Sequence, residues 1–167
     1  PLNAGTFSNT VFSASPASTS GEYAFMVGTG FTPTVGSGPL TDKSGNGNYL
    51  VTEGDYGTSP ASATLVSKCL DLTGMTNPVL QFRHHMFGAD IGAIRVQWIK
   101  DGENDWTNPM TPYTTTLTDE KDNWSFYEVD LSSQAGKTVK LRFIAQKSGF
   151  GIGADIGFDD IAIFDKT

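Results

Sequence analysis

Cysteine is nearly missing from this 167-residue chain: Cys69 stands alone, so no disulfide can close within it. A single Cys just before Leu70 and Leu72 is expected to be a small apolar core residue. No apolar run approaches the length of about 18 residues that a membrane-spanning helix needs, so membrane insertion is not expected. Basic residues are scarce, 11 against 18 acidic ones, leaving a formal net charge of -7. That balance argues against a nucleic-acid partner or an anionic membrane surface, because both reward clustered Lys and Arg. Methionine and a basic, apolar leader are also missing from the start. The opening at Pro1 is expected to be that of a processed or excised piece whose targeting signal has been removed.

Catalytic signatures are equally sparse. The chain carries no Gly-x-Ser-x-Gly elbow, no His-Glu-x-x-His and no phosphate-cradling loop. Its only histidines, His84 and His85, are adjacent. In a strand they point to opposite faces and cannot chelate one metal together, so one is expected in the core and one in solvent. Paired carboxylates for glycoside hydrolysis would be distant in sequence, and no pair stands out among the acids.

Helical periodicity is missing too, whereas strand patterns recur. Segments 61–72 (broken near Ser67), 79–86, 93–100, 124–131, 138–146 and about 154–164 read as strands. In 93–100, Ile94, Val96 and Trp98 share one face, and in 138–146 Val139, Leu141, Phe143 and Ala145 do. Phe7, Val11 and Phe12 suggest an early strand and 23–27 a second. Asp101-Gly102 suits a tight hairpin turn. Short strands punctuated by turns, with 38% hydrophobic content, predict one all-β domain over 1–167, a jelly-roll sandwich of two packed antiparallel sheets. Residues 28–48, dense in glycine and proline, form a long loop, which in a compact domain is functional or pinned.

That loop contains GPLTDKSGNGNY (38–49), in which Asp42, Ser44, Asn46 and Asn48 alternate with residues that let the backbone turn its carbonyls inward. Calcium accepts about six to eight such oxygens. The spacing is not that of an EF-hand, and a solvated turn is the alternative reading. Near the end, GADIGFDDIAIFD (153–165) repeats the run GADIG of 88–92 and places Asp159 and Asp160 side by side in an apolar strand. Alternation groups Asp160 with Ile156 and Phe158, and Asp159 with Ile161 and Ile163. One of the two acids is therefore expected to face the core, held by a cation or by several N–H donors. Among the aromatics, Trp98 and Trp124 are expected to pack. Trp106 and Tyr113, in turn-rich sequence, are the candidates for an exposed ligand-binding surface.

The segments 29–53, 63–72, LQFRHHMFGADIGAIRV (80–96), DNWSFYEVDLSSQAGKTVKLRF (122–143) and IGADIGFDDIAI (152–163) together resemble a MAM domain over about 30–164, in particular the cysteine-poor modules of secreted bacterial proteins. The resemblance implies a jelly-roll sandwich with a non-catalytic adhesion or recognition role, binding a protein or glycan ligand at a loop end or sheet face. It also implies a secreted or cell-surface location within a larger multidomain chain. A structural calcium near the Gly-Pro-x-x-Asp loop is implied as well. Carried over, that site draws on Asp42, backbone oxygens near Ser44 and Asn46, Asp159 and Asp160, with Glu53 also on a family-like position. The acidic Phe-x-Glu or Phe-x-Asp opening of the animal domains is missing, and with it one acidic ligand, whose place water or another carbonyl would take. The missing disulfide cysteines fit a secreted bacterial module. A carbohydrate-binding module appended to a polysaccharide-degrading enzyme is the alternative.

Overall fold

The computed structural model describes residues 11–17, 21–57 and 61–166. Phe7, a candidate for the first strand, lies outside them. Ten strands are described: β1 (Phe12–Ser15), β2 (Phe25–Gly28), β3 (Tyr49–Thr52), β4 (Ser62–Ser67), β5 (Leu70–Asp71), β6 (Pro78–Met86), β7 (Ile91–Lys100), β8 (Ser125–Asp130), β9 (Thr138–Lys147) and β10 (Ile156–Asp165). One 3-10 turn, Ser132–Gln134, precedes β9. The first sheet runs β2-β3-β10-β6-β8. In the second, β1 pairs with β4 and β4 with β9, β5 prolongs the β4 row along β9, and β7 takes the other edge of β9. All pairings are antiparallel, and the chain passes from one sheet to the other at most connections, as a jelly-roll sandwich requires.

Alternation fills the space between the sheets. Phe82 of β6 meets Phe143 of β9 edge-on at 5.4 Å and Phe158 of β10 at 5.8 Å, and Phe25 of β2 lies 5.6 Å from Phe158. Each such ring pair adds about 0.5–1.5 kcal/mol beyond simple burial. Leu65, Ile94, Val96, Leu141 and Ala145 complete the contact between layers.

The break foreseen near Ser67 has a specific cause. Ser67 Oγ accepts the N–H of Leu141 at 2.8 Å, filling a β9 donor while the chain leaves the ladder. Lys68 and Cys69 then turn outward, so Cys69 is exposed, not part of the core as its sequence neighbours suggested.

A second, smaller apolar cluster, Tyr49, Val51 and Trp124, covers the outer face of the first sheet. Trp124 Nε1 donates to the Thr41 carbonyl at 3.1 Å, which straps the long loop across this face. Gly157 makes the approach possible, since a Cβ there would lie 2.7 Å from the Trp124 ring. The strap explains a second difference from the sequence reading. His84 faces the core and His85 the outer side, yet each is only 1% exposed, because Trp124 covers His85 edge-on at 5.6 Å. Burial pulls both imidazoles down to about 4, with the neighbouring His85 charge adding to the effect on His84.

Candidate functional site

The two acidic clusters that matter lie at one end of the first sheet, where the 29–48 loop meets β10. In the first cluster the Asp42 carboxylate folds onto its own loop. Its Oδ2 accepts the Ser44 N–H at 2.9 Å and the Ser44 hydroxyl, and its Oδ1 accepts the Gly47 N–H at 2.7 Å. Burial pushes this carboxyl up, but the hydroxyl and the N–H groups outweigh it and hold its pKa below the ordinary value. A Cβ on Gly47 would sit 2.8 Å from Asp42 Oδ2, so the tight wrap needs glycine there. Ser44 and Asn46 are exposed. Loop donors engage both oxygens of Asp42, so this carboxylate is satisfied within its own loop without a cation.

Asp159 ties this loop to the last strand. Its Oδ2 accepts the N–H of Lys43 at 2.8 Å, and its Oδ1 accepts the N–H of Asp160 at 2.8 Å. The pairing of β10 with β6 shifts register between Asp159 and Ala162, and Asp160 adopts φ 49, a left-handed conformation. This bulge resolves the parity problem. Ile156 and Phe158 face the core before it, and Ile161 and Ile163 pack against the core after it. The inward set changes from even to odd numbers at the acid pair. Neither acid enters the core: Asp159 is half-buried and Asp160 exposed.

The second cluster holds the acid that sequence reasoning missed. Asp155, 0% exposed, stands beside Glu53, 2% exposed, the two carboxyls within hydrogen-bonding reach of each other. Asp155 Oδ1 accepts the Gly54 N–H at 2.6 Å, and the Asp155 N–H donates to Ser37 Oγ at 3.0 Å. Glu53 Oε1 accepts from the Thr34 hydroxyl and the Asp55 N–H, each at 3.3 Å. Glu53 Oε2 and Asp155 Oδ2 are buried with no hydrogen-bond partner. Burial, then the Glu53 charge, pushes the Asp155 carboxyl up to about 8, and burial raises that of Glu53 as well. Around them Lys147, 2% exposed, donates Nζ to the Gly54 carbonyl at 2.7 Å, and Tyr23 donates its hydroxyl to the Ala154 carbonyl at 2.9 Å.

Glu53 thus belongs with Asp155, apart from Asp42, Ser44 and Asn46, while Asp160 joins neither cluster. The signal for Asp155 was in the repeated GADIG: in both copies the acid organises glycine N–H groups. Asp90, in the first, accepts from Gly151 and Gly153 at 3.2 Å each. Among the described residues no three His, Cys, Asp or Glu side chains gather as a metal site. The two orphaned oxygens of Glu53 and Asp155 do fit a hard cation, whose other ligands would be carbonyls or water.

Of the ligand-binding candidates, Tyr113 is engaged internally. It packs edge-on against His84 at 4.7 Å and Tyr127 at 5.6 Å, and its backbone bridges Ile94. Trp106 is half-buried on the outer side of the second sheet, with the Arg142 guanidinium 4.3 Å from its ring centre.

Comparison with known proteins adds a family. Residues 19–167 match the model of the MAM domain, meprin/A5/mu. Thyroid hormone-induced protein B of Xenopus laevis is 31% identical over 133 residues, 79% of this chain, and the match spans 18% of the frog protein's length. Among solved structures, an adhesin domain of Lys-gingipain from Porphyromonas gingivalis superposes with a TM-score of 0.61 at 17% identity, covering 93% of this chain and 91% of that one. A cyclase from Fischerella sp. superposes with a TM-score of 0.60 at 11% identity, covering 98% and 85%. At these identities the likeness is one of fold alone, shared by a binding domain and an enzyme.

Proposed function

Since the chain belongs to the MAM domain family, we propose that it is a non-catalytic adhesion or recognition module, braced by calcium and carried within a larger secreted or cell-surface protein, of bacterial origin given its single cysteine. The observation that carries this reading is the burial of Glu53 and Asp155. A proton-sharing acid pair is what acid–base catalysis would use, but at 2% and 0% exposed no substrate reaches it. Its position suits bracing: it joins the 32–38 loop through Thr34 and Ser37, the 53–55 turn through Gly54, and the start of β10.

Calcium, when bound, would supply two positive charges to two carboxylates that otherwise share a proton. Glu53 Oε2 and Asp155 Oδ2 are the side-chain atoms that would hold it, with Asp42 and Asp159 fastening the neighbouring loop by accepting N–H groups. Thermal unfolding in calcium and in EDTA tests this part. A hundredfold excess over the dissociation constant stabilises by about 2.7 kcal/mol. An unchanged melting temperature, with no calcium found by mass analysis, would remove calcium from the reading. The recognition role is tested separately, by screening the folded protein against immobilised glycans and cell-surface proteins. Failure to retain any ligand would refute it.

The second reading, a carbohydrate-binding module of a polysaccharide-degrading enzyme, is favoured by Trp106 backed by Arg142 on an open sheet face. The engagement of Tyr113 in internal packing leaves that face with one of the two aromatics the sequence suggested.

A further inference from the structure

We propose that the outer face of the second sheet binds a carboxylated glycan, a chain of uronic-acid units, through Arg95, Lys140 and Arg142, with Trp106 as the stacking surface. This rests on the recognition-module reading and names the ligand class of its sheet face.

Strand alternation places Leu141, Phe143, Ile94 and Val96 in the core, so their neighbours Lys140, Arg142, Arg95 and Gln97 stand on the outer side. Register brings them together: Gln97 lies opposite Arg142, Ile99 opposite Lys140, and Arg95 opposite Ile144. Arg95 is therefore the diagonal neighbour of Arg142 and Lys140 is two residues along its strand, so the three cations follow one another at about 7 Å. β4 and β1 add only Ser, Thr and Val to this face.

The charge is the argument for an anion. The chain carries a net charge of -7, yet no carboxylate stands between these three cations. Among the described residues the ion pairs are Lys100–Glu103 and Lys166–Glu128, so none of the three is neutralised. Asp71 of β5 stands opposite Thr138, diagonal to Lys140, but it accepts the Thr73 N–H at 2.9 Å and forms no ion pair with Lys140 among the described residues. Asp101 and Glu103 lie in the turn beyond β7, Glu103 paired with Lys100, and Asp105, exposed beside Trp106, forms no ion pair among the described residues.

The groups are also preorganised. Arg95 Nη1 donates to Gln146 Oε1 at 2.8 Å. Arg142 Nε donates to Gln97 Oε1, and Gln97 Nε2 in turn donates to Asn108 Oδ1 at 2.6 Å. This amide ladder holds the Arg142 guanidinium 4.3 Å from the centre of the Trp106 ring by its Nε, leaving its two Nη groups for a planar carboxylate. The half-buried indole offers its remaining surface to the C–H face of a pyranose. One aromatic and three cations suit a glycan bearing carboxylates. A nucleic acid would call for more stacking rings than the one this face carries.

Affinity electrophoresis of the whole chain, run in gels containing polygalacturonate, neutral galactan, dextran sulfate or single-stranded DNA, tests the assignment. Polygalacturonate is expected to retard the protein in a salt-dependent way, and more strongly than the other three. The double variant Arg95→Gln/Lys140→Gln should lose at least tenfold in affinity with an unchanged melting temperature. Trp106→Ala should lose a similar factor, and Arg142→Lys, which keeps the charge and loses the fork, should fall between. Equal retardation by dextran sulfate or DNA would show general polyanion attraction and overturn the proposal. So would undiminished binding in the double variant, or no response to polygalacturonate. If polygalacturonate fails while a neutral glycan or a protein is bound, this assignment falls and the recognition module stands. If no ligand of any class is bound, the module reading falls with it.

Discussion

Asp155 and Glu53 bury two carboxyls side by side, and each keeps one oxygen, Oδ2 and Oε2, without a hydrogen-bond donor. Ordinary ionised carboxylates could not both stay in that arrangement, so the pair either shares a proton or holds a cation. Asp155→Asn separates these states. The amide still accepts from Gly54 N–H while removing one negative charge. The variant is expected to fold with metal-free stability equal to or above that of the parent and to lose any stabilisation by calcium. Melting curves with and without calcium check this. A calcium response that survives Asp155→Asn would place the cation elsewhere.

The same pair predicts an alkaline loss of stability. A carboxyl raised to about 8 in the folded state favours folding most below its unfolded value of about 3.9, and that contribution is lost as pH rises toward 8. The histidines act in the opposite sense. With folded values pulled down to about 4, His84 and His85 are accommodated neutral above about pH 6.5, and stability falls as pH drops from there toward 4. Each histidine shift corresponds to roughly 3 kcal/mol at its acidic limit. With two histidines gaining and one carboxyl losing over the same range, metal-free protein is therefore expected to be most stable at about pH 6.5. Denaturant titrations across pH 4–8.5 measure the profile, and saturating calcium should flatten its alkaline side only.

Gly157 and Trp124 offer a mechanical test. Because a Cβ at 157 would approach the indole to 2.7 Å, Gly157→Ala must displace the ring that straps the long loop. A loss of about 1–3 kcal/mol is expected, the range for overpacking, with a red-shifted tryptophan emission. An unshifted spectrum and an unchanged melting temperature would mean the strap is not rigid.

The bulge separates the two adjacent acids. Asp160, exposed at φ 49, should gain from glycine, with Asp160→Gly raising stability by up to about 1 kcal/mol. Asp159→Ala frees the Lys43 N–H and is expected to lose about 1 kcal/mol, with faster hydrogen exchange at Lys43. Opposite signs at neighbouring positions are the result to look for. Equal effects would contradict the bulge.

Sequence alone determined the all-β class, the strand positions from 61 to 164 to within a few residues, and the inward residues of β7 and β9. Those follow from alternation and turn residues, which are local. It also pointed to the long loop and the last strand as partners, through the acids each carries. Tertiary structure decided which acids are buried. A one-residue bulge reversed the parity of β10 and sent Asp159 and Asp160 outward, whereas Asp155, on the side alternation would leave in solvent, was sealed by a loop some hundred residues earlier in the chain. His85 was buried, and Cys69 exposed, by contacts of the same kind: the Trp124 strap in one case and the Ser67 detour in the other. Periodicity reports which face of a strand a side chain takes. Whether that face meets water depends on what the rest of the chain lays over it.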